Sequence, residues 1–465
     1  MKRLRLAGIL VMWILTAVAF GQGEWLGVYL QGQKIGYSYS ETKKEEFEGK
    51  SVEVSRSKME IGTQMLGSAM RIVVDSATWM SDGKPVQMTY RMESAGRTMA
   101  VNARFGANEI VASMVTGSGE EEKRIPIPAG KRILMDPVDL VNSGGMPVVG
   151  KPMEVLVFSP ESLELIAVMV EARAEQEIST PAGRVKAQVV FVNDPRAPST
   201  LYLSAKGDLI KMTGPMGIEM IPESEEEAKK FTGTAQIDLA AASRLTPVGR
   251  VNWGDPKVEL MVRGIDMSKV PSDARQKVIK SGDGWRVTLG NDALPDGLVK
   301  IASLKGQKSE WLKPDIRVPS GDQDFLDLAK KVVGGTQTVA GAAAKIHDYV
   351  FRLMGVNAGI GVMRDAREIL ETKEGVCRDH AILAGTLLRA AGIPTRFANG
   401  LVLYQGSYYY HAWVEYWDGK SWIGMDTTRP DLRLGSGYIK TTQGTVGQAL
   451  QGFLLDGAKI EVVEK

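Results

Sequence analysis

The chain has 465 residues, too many for one hydrophobic core, so several domains are expected. Hydrophobic residues at 44% and charged residues at 24% exclude a disordered or fibrous chain. With 57 Lys plus Arg against 55 Asp plus Glu, the net charge of +2 gives no basis for binding nucleic acid or an anionic surface.

Residues 1–21 read as a secretory signal. Lys2, Arg3 and Arg5 precede the apolar run "LAGILVMWILTAVAF" (6–20), and Ala19 and Gly21 supply small residues for cleavage after Gly21. Fifteen apolar residues are short for a membrane span, and a brief uncleaved anchor is the alternative. No cysteine follows the run and no later segment is long and apolar enough to cross a bilayer. The expectation is export to the periplasm or the extracellular space, with no stable membrane insertion after cleavage.

From 22 to about 235 the chain alternates extended stretches with glycine-bearing turns: "QGQK" (31–34), "FEGK" (47–50), "LGSA" (66–69), "SDGK" (81–84), "SAGR" (94–97) and "FGAN" (105–108). Between them, runs such as "MRIVVDSATWM" (70–80) tend to alternate apolar with polar residues, which predicts an antiparallel meander closing into a sandwich or open barrel. A smaller β-rich domain is expected over 236–310, with "KVELMVRGI" (257–265) and "GWRVTLGN" (284–291) as its clearest strands. Nothing before residue 300 gathers catalytic residue types, so these stretches read as scaffold or binding modules.

A third domain, 311–465, has a different texture. Helical periodicity runs through "DFLDLAKKVV" (324–333), then from about Thr338 to Leu353, then over about 378–391, where Gly392 and Pro394 stop it. Strands "TRFANGLVLY" (395–404), "YYYHAWVEYW" (408–417) and "SWIGMD" (421–426) follow, giving an α+β domain.

This domain holds Cys377, the sole cysteine, at the start of the third helix. A helix N-terminus favours a thiolate over a thiol, and a nearby histidine supplies the second usual source of activation. A buried cysteine acting as a small hydrophobe is the competing view. Three histidines are candidates for the base. His347, beside Asp348 in mid-helix, reads as a solvated surface residue. His380 lies three residues after Cys377 on the same helix, with nothing independent to orient it. His411 comes with a partner: a two-residue Asp418-Gly419 hairpin would set Trp417 against Lys420 and His411 against Asp426. Asp426, ionised, would then orient the imidazole, with Nε2 of His411 turned to Cys377. Cys377, His380, His411 and Asp426 also suit zinc by type, but only a C-x-x-H pair is local.

"EGVCRDHAILAGTLLRAAGIPTRFANG" (374–400), "YYHAWVEYW" (409–417) and "WIGMDTT" (422–428) resemble the three core motifs of the transglutaminase-like superfamily. The resemblance covers about 311–430 and implies a papain-like core with Cys377 as nucleophile, His411 as base and Asp426 as its orienter. It places Arg396 and Trp413 in structural or groove-lining roles, and His380 at a variable position. Family members often carry proline after the aspartate, where this chain has Thr427. The implied activity is acyl transfer from a peptide or protein amide through a thioester, without a cofactor, with water or an amine as acceptor. A non-catalytic adhesion or scaffolding module on the same fold is the alternative.

Overall fold

The computed structural model describes residues 23–135, 147–180, 183–231, 233, 235–449 and 454–463. The expected export signal, 1–21, lies outside the described residues. The chain forms two compact units: one runs up to Asp238 and includes Gly359–Val362, and the other takes Leu239–Ala358 and Met363 onward.

The first unit is built on a fifteen-stranded sheet. Its strands run in sequence order from Gly119–Pro126 back to Glu24–Leu30, which pairs with Ile218–Glu223. From there the order descends to Met153–Ser159 and the short parallel strand Ile133–Leu134. Five successive hairpins turn on two residues of positive φ, the second always glycine: Gln31-Gly32, Glu48-Gly49, Leu66-Gly67, Asp82-Gly83 and Ala95-Gly96. That backbone matches the twist of the flanking strands, and glycine takes it without strain, so the glycine-bearing turns seen in the sequence fix the register of the meander. Alternation does the rest. Met70, Ile72 and Val74 are buried while Arg71 between them is exposed.

The second unit contains two four-stranded antiparallel sheets. The first has the order Gln276–Ser281, Gly284–Gly290, Lys257–Arg263, Lys459–Val462. The second has the order Trp422–Met425, Ser407–Trp417, Thr395–Tyr404, Tyr438–Gly444. Packing divides the described chain after Asp238 and not near residue 310, so the small sheet belongs with the α+β region. Its fourth strand, Lys459–Val462, comes from the far end of the chain and pairs with Lys257–Arg263, covering an edge that three strands alone would leave open.

Helices Gln323–Val333, Val339–Leu353, Ala366–Thr372 and Cys377–Ala390 complete this unit. The last is buried from Cys377 to Arg389 and packs on the strand Ser407–Trp417. Gly385 permits close approach to the sheet, because a Cβ there would sit 2.8 Å from the Phe397 ring on the neighbouring strand and 3.5 Å from Val414. Among the described residues no helix is long and apolar enough to cross a membrane.

Candidate active site

Cys377 is the first residue of its helix, is fully buried and forms no disulfide. The turn before it is fixed by Asp379, whose Oδ2 accepts from the backbone N–H of Val376 at 2.8 Å. Its Oδ1 faces Arg364 Nη2 at 3.2 Å, with both side chains wholly buried. Arg364 also donates to the Glu374 carbonyl (2.6 Å) and to Thr372 Oγ1 (2.8 Å), tying the approach to the helix into one network. The close fit leaves room only for glycine at 375, where a Cβ would lie 2.5 Å from Asp379 Oδ2. Asp379 is also the carboxylate that offsets burial at Arg378, whose pKa burial pushes down. Asp379→Ala strands buried guanidinium charge and is expected to cost about 3–5 kcal/mol of stability. Denaturant unfolding measures it, and a loss below about 1 kcal/mol, the range of exposed pairs, would contradict this role.

His411 lies on the inner strand Ser407–Trp417, opposite Gly400. Its Nε2 donates to Asp426 Oδ2 at 2.8 Å. The same oxygen accepts from Tyr438 Oη at 2.7 Å, while Oδ1 accepts from Thr428 N (2.9 Å) and Thr428 Oγ1 (2.7 Å). Burial opposes the charge on Asp426, but the His411 charge and the hydrogen bonds from His411, Thr428 and Tyr438 overcome it, holding the carboxyl far below the usual range. Burial likewise works against a charged His411. The charges of Asp426 and Cys377, with hydrogen bonding to both side chains, outweigh it and raise the imidazole pKa.

Two expectations about this pair are corrected. The hairpin does not turn on Asp418-Gly419 alone: Trp417 pairs with Trp422 and Val414 with Met425. Asp418 instead caps a wider loop, its Oδ1 accepting from the N–H groups of Lys420 (2.8 Å) and Ser421 (2.7 Å). The true register differs from the expected one by two residues. An even shift keeps every side chain on its face of the sheet, so Asp426 still reaches His411. The ring is also turned the other way. Nε2 faces the carboxylate, which leaves Nδ1 for the thiol, and Cys377 raises the imidazole pKa through its charge and hydrogen bonding.

The other two histidines depart from expectation in different ways: His347 is buried where a solvated residue was expected, and His380, on the Cys377 helix as expected, has a partner that orients its ring. His347 is 1% exposed rather than solvated, and its Nε2 lies 3.2 Å from the Asp426 carbonyl oxygen. Burial, the largest influence, lowers its pKa. His380 is equally buried, with Nδ1 3.0 Å from the Thr427 carbonyl oxygen. Trp413 is core: it packs edge-on to Tyr438 with ring centroids 5.4 Å apart. Arg396 pairs with Glu415 at 2.7 Å and covers the Trp422 ring. Sequence reasoning missed Tyr438, Arg364 and Asp379 as supports of the site. Tyr438 carried no motif signal, whereas an acidic residue in the first turn of the Cys377 helix could have flagged Asp379. Among the described residues no group of three or more His, Cys, Asp or Glu could hold a metal ion, and the Asp426 oxygens are already occupied by protein donors.

Residues 326–427 match the model of the Transglutaminase-like superfamily. No curated protein matches the chain. Among solved structures it is similar to "a Putative Cysteine Protease" from Cytophaga hutchinsonii, at 18% identity and a TM-score of 0.35, covering 45% of this chain and 89% of that one. It is also similar to a "Beta-barrel-like Protein of Domain of Unknown Function DUF1849" from Brucella abortus, at 11% identity and a TM-score of 0.32, covering 43% of this chain and 95% of that one.

Proposed function

Proceeding from a C-terminal region that carries a transglutaminase-like domain, we propose that the protein is an exported, cysteine-dependent acyl transferase or hydrolase of peptide or protein amide bonds. The observation that carries this is the His411 imidazole, bonded through Nε2 to Asp426 at 2.8 Å and raised in pKa by Asp426 and Cys377 together. An imidazole so placed is charged at rest and ready to give up a proton.

Cys377 Sγ, as the thiolate, adds to the amide carbonyl carbon, and the C=O electron pair moves onto oxygen. The backbone N–H of Cys377, in the first turn of its helix, is suited to receive that oxyanion. As the C–N bond breaks, the proton on His411 Nδ1 passes to the departing nitrogen, and amine or ammonia leaves a thioester on Cys377. Neutral Nδ1 then takes a proton from water or an amine as either attacks, the C–S bond breaks, and the starting ion pair returns. Asp426 keeps its charge throughout and stabilises the imidazolium. Water as acceptor makes a protease, amidase or deamidase, and a lysine amine makes a cross-linker.

Complete burial of Cys377 favours the second reading, a non-catalytic adhesion or scaffolding module. Iodoacetamide separates the two. At pH 6 the native protein is expected to alkylate at Cys377 faster than free cysteine does, and His411→Ala to lose about 10²-fold of that rate or more. Alkylation only after unfolding would leave the scaffold. Peptide amides incubated with and without an added lysine-type amine, followed by product mass, then assign the acceptor.

A further inference from the structure

The chain has only three histidines, and all three meet one dipeptide. His411 takes the Asp426 side chain. His347, from the helix Val339–Leu353, reaches the Asp426 carbonyl, and His380, from the Cys377 helix, reaches the Thr427 carbonyl. We propose that His347 and His380 are positioning residues: they clamp the Asp426–Thr427 peptide and so hold the Asp426 carboxylate in line with His411. This rests on the catalytic role proposed above for His411 and Asp426.

The need for a clamp follows from where the sheet stops. The ladder between Ser407–Trp417 and Trp422–Met425 ends at the pair Val414 and Met425. Asp426 is the next residue, already outside the strand, so no ladder bond to the His411 strand fixes its backbone. A carboxylate on a departing chain would drift, and orientation errors of about 1 Å can cost 10²-fold in rate. Side-chain donors from two helices take over at that point, joined by the Arg429 N–H at 3.4 Å from the Asp426 carbonyl.

The chemistry is specific. A carbonyl oxygen only accepts, so each ring must present N–H: on Nε2 in His347 and on Nδ1 in His380. Both rings are 1% exposed, and burial favours the neutral form of His347. A neutral His347 holds the peptide without placing a competing cation beside Asp426, whose carboxylate is bonded to His411, Tyr438 and Thr428. Thr427 adds a looser contact, its Oγ1 lying 3.4 Å from the His380 ring.

Substitution of the intact chain tests this. His347→Leu and His380→Leu remove the donor; His347→Gln and His380→Asn return an N–H near the original atom. The readouts are kcat against KM and the alkaline limb of the pH–rate profile, which reports the His411 imidazolium. Each Leu variant is expected to lose about 10- to 100-fold in kcat with KM little changed, and to move the alkaline limb to lower pH. The Gln and Asn variants are expected to restore the limb. Leu variants that lose stability but keep the wild-type limb would reduce both histidines to packing and overturn the proposal. If a Leu variant does not fold, imidazole ¹⁵N–¹H spectra of the wild-type protein decide. N–H on Nε2 of His347 and on Nδ1 of His380 supports the clamp. The opposite tautomers refute it. Absence of His411-dependent reactivity at Cys377 would instead remove the catalytic reading, with the tautomers still testing the clamp.

Discussion

Asp426→Asn is expected to lower kcat by about 10²–10³, or roughly 3–4 kcal/mol of transition-state stabilisation. The corresponding change in a serine-protease triad costs about 10⁴. A smaller loss follows here because a thiol ionises more readily than a hydroxyl and leans less on its base. The geometry makes the change severe even though the shapes match. Each Asp426 oxygen accepts two protein donors, His411 Nε2 with Tyr438 Oη on Oδ2, and Thr428 N with Oγ1 on Oδ1. Whichever oxygen becomes an amide NH₂ therefore confronts two donors.

The same substitution has a definite sign in pH. The Asp426 charge raises the His411 pKa, and the imidazolium is the form that protonates the leaving nitrogen. Removing the charge lowers that pKa, so the alkaline limb of kcat moves to lower pH. A wild-type limb in Asp426→Asn, with kcat reduced, would mean that Asp426 does not act through His411.

The second large effect concerns the small sheet. A fragment beginning at Lys313 contains Cys377, His411 and Asp426 but is expected not to fold, whereas one beginning at Leu239 is. The strand Tyr438–Gly444, which carries the tyrosine bonded to Asp426, is gripped by residues upstream of 313. Gln276 bonds both the N–H (2.8 Å) and the carbonyl (2.8 Å) of Lys440, and Arg275 bonds the Tyr438 carbonyl (2.5 Å). Lys440 itself is wholly buried between Glu415 and Asp273, each at 2.6 Å. Trp253 packs on Tyr438 at 5.5 Å, and Leu245 exchanges backbone hydrogen bonds with Tyr408. Truncation exposes this core and leaves Lys440 half-paired, against a total stability of about 5–15 kcal/mol for a typical domain. Circular dichroism and Cys377 alkylation check it: the shorter fragment should react like an unfolded thiol. Cooperative melting of that fragment, with Cys377 alkylating at the rate of the full-length protein, would return the small sheet to the status of an independent module.

What the sequence by itself determined is what short-range chemistry encodes. The five positive-φ pairs of the large sheet depend on two residues each, and each carried its glycine. Apolar spacing and Gly392 with Pro394 placed the Cys377 helix to within a residue. The pairing of His411 with Asp426 was legible through sheet parity, which survived a loop wider than supposed because the error was even. Tertiary structure alone decided the rest. His347 stands beside Asp348 in a helix whose own pattern marks that side polar, and its partner, the Asp426 carbonyl 79 residues later, leaves no local trace. Arg364 finds Asp379, and Tyr438 finds Asp426, across intervals that leave no periodic trace. The small sheet takes its fourth strand from residues 459–462, a pairing made by proximity in the folded chain. Turns and helix ends are written where they occur; buried polar partners are chosen by packing, which brings together groups that nothing local connects.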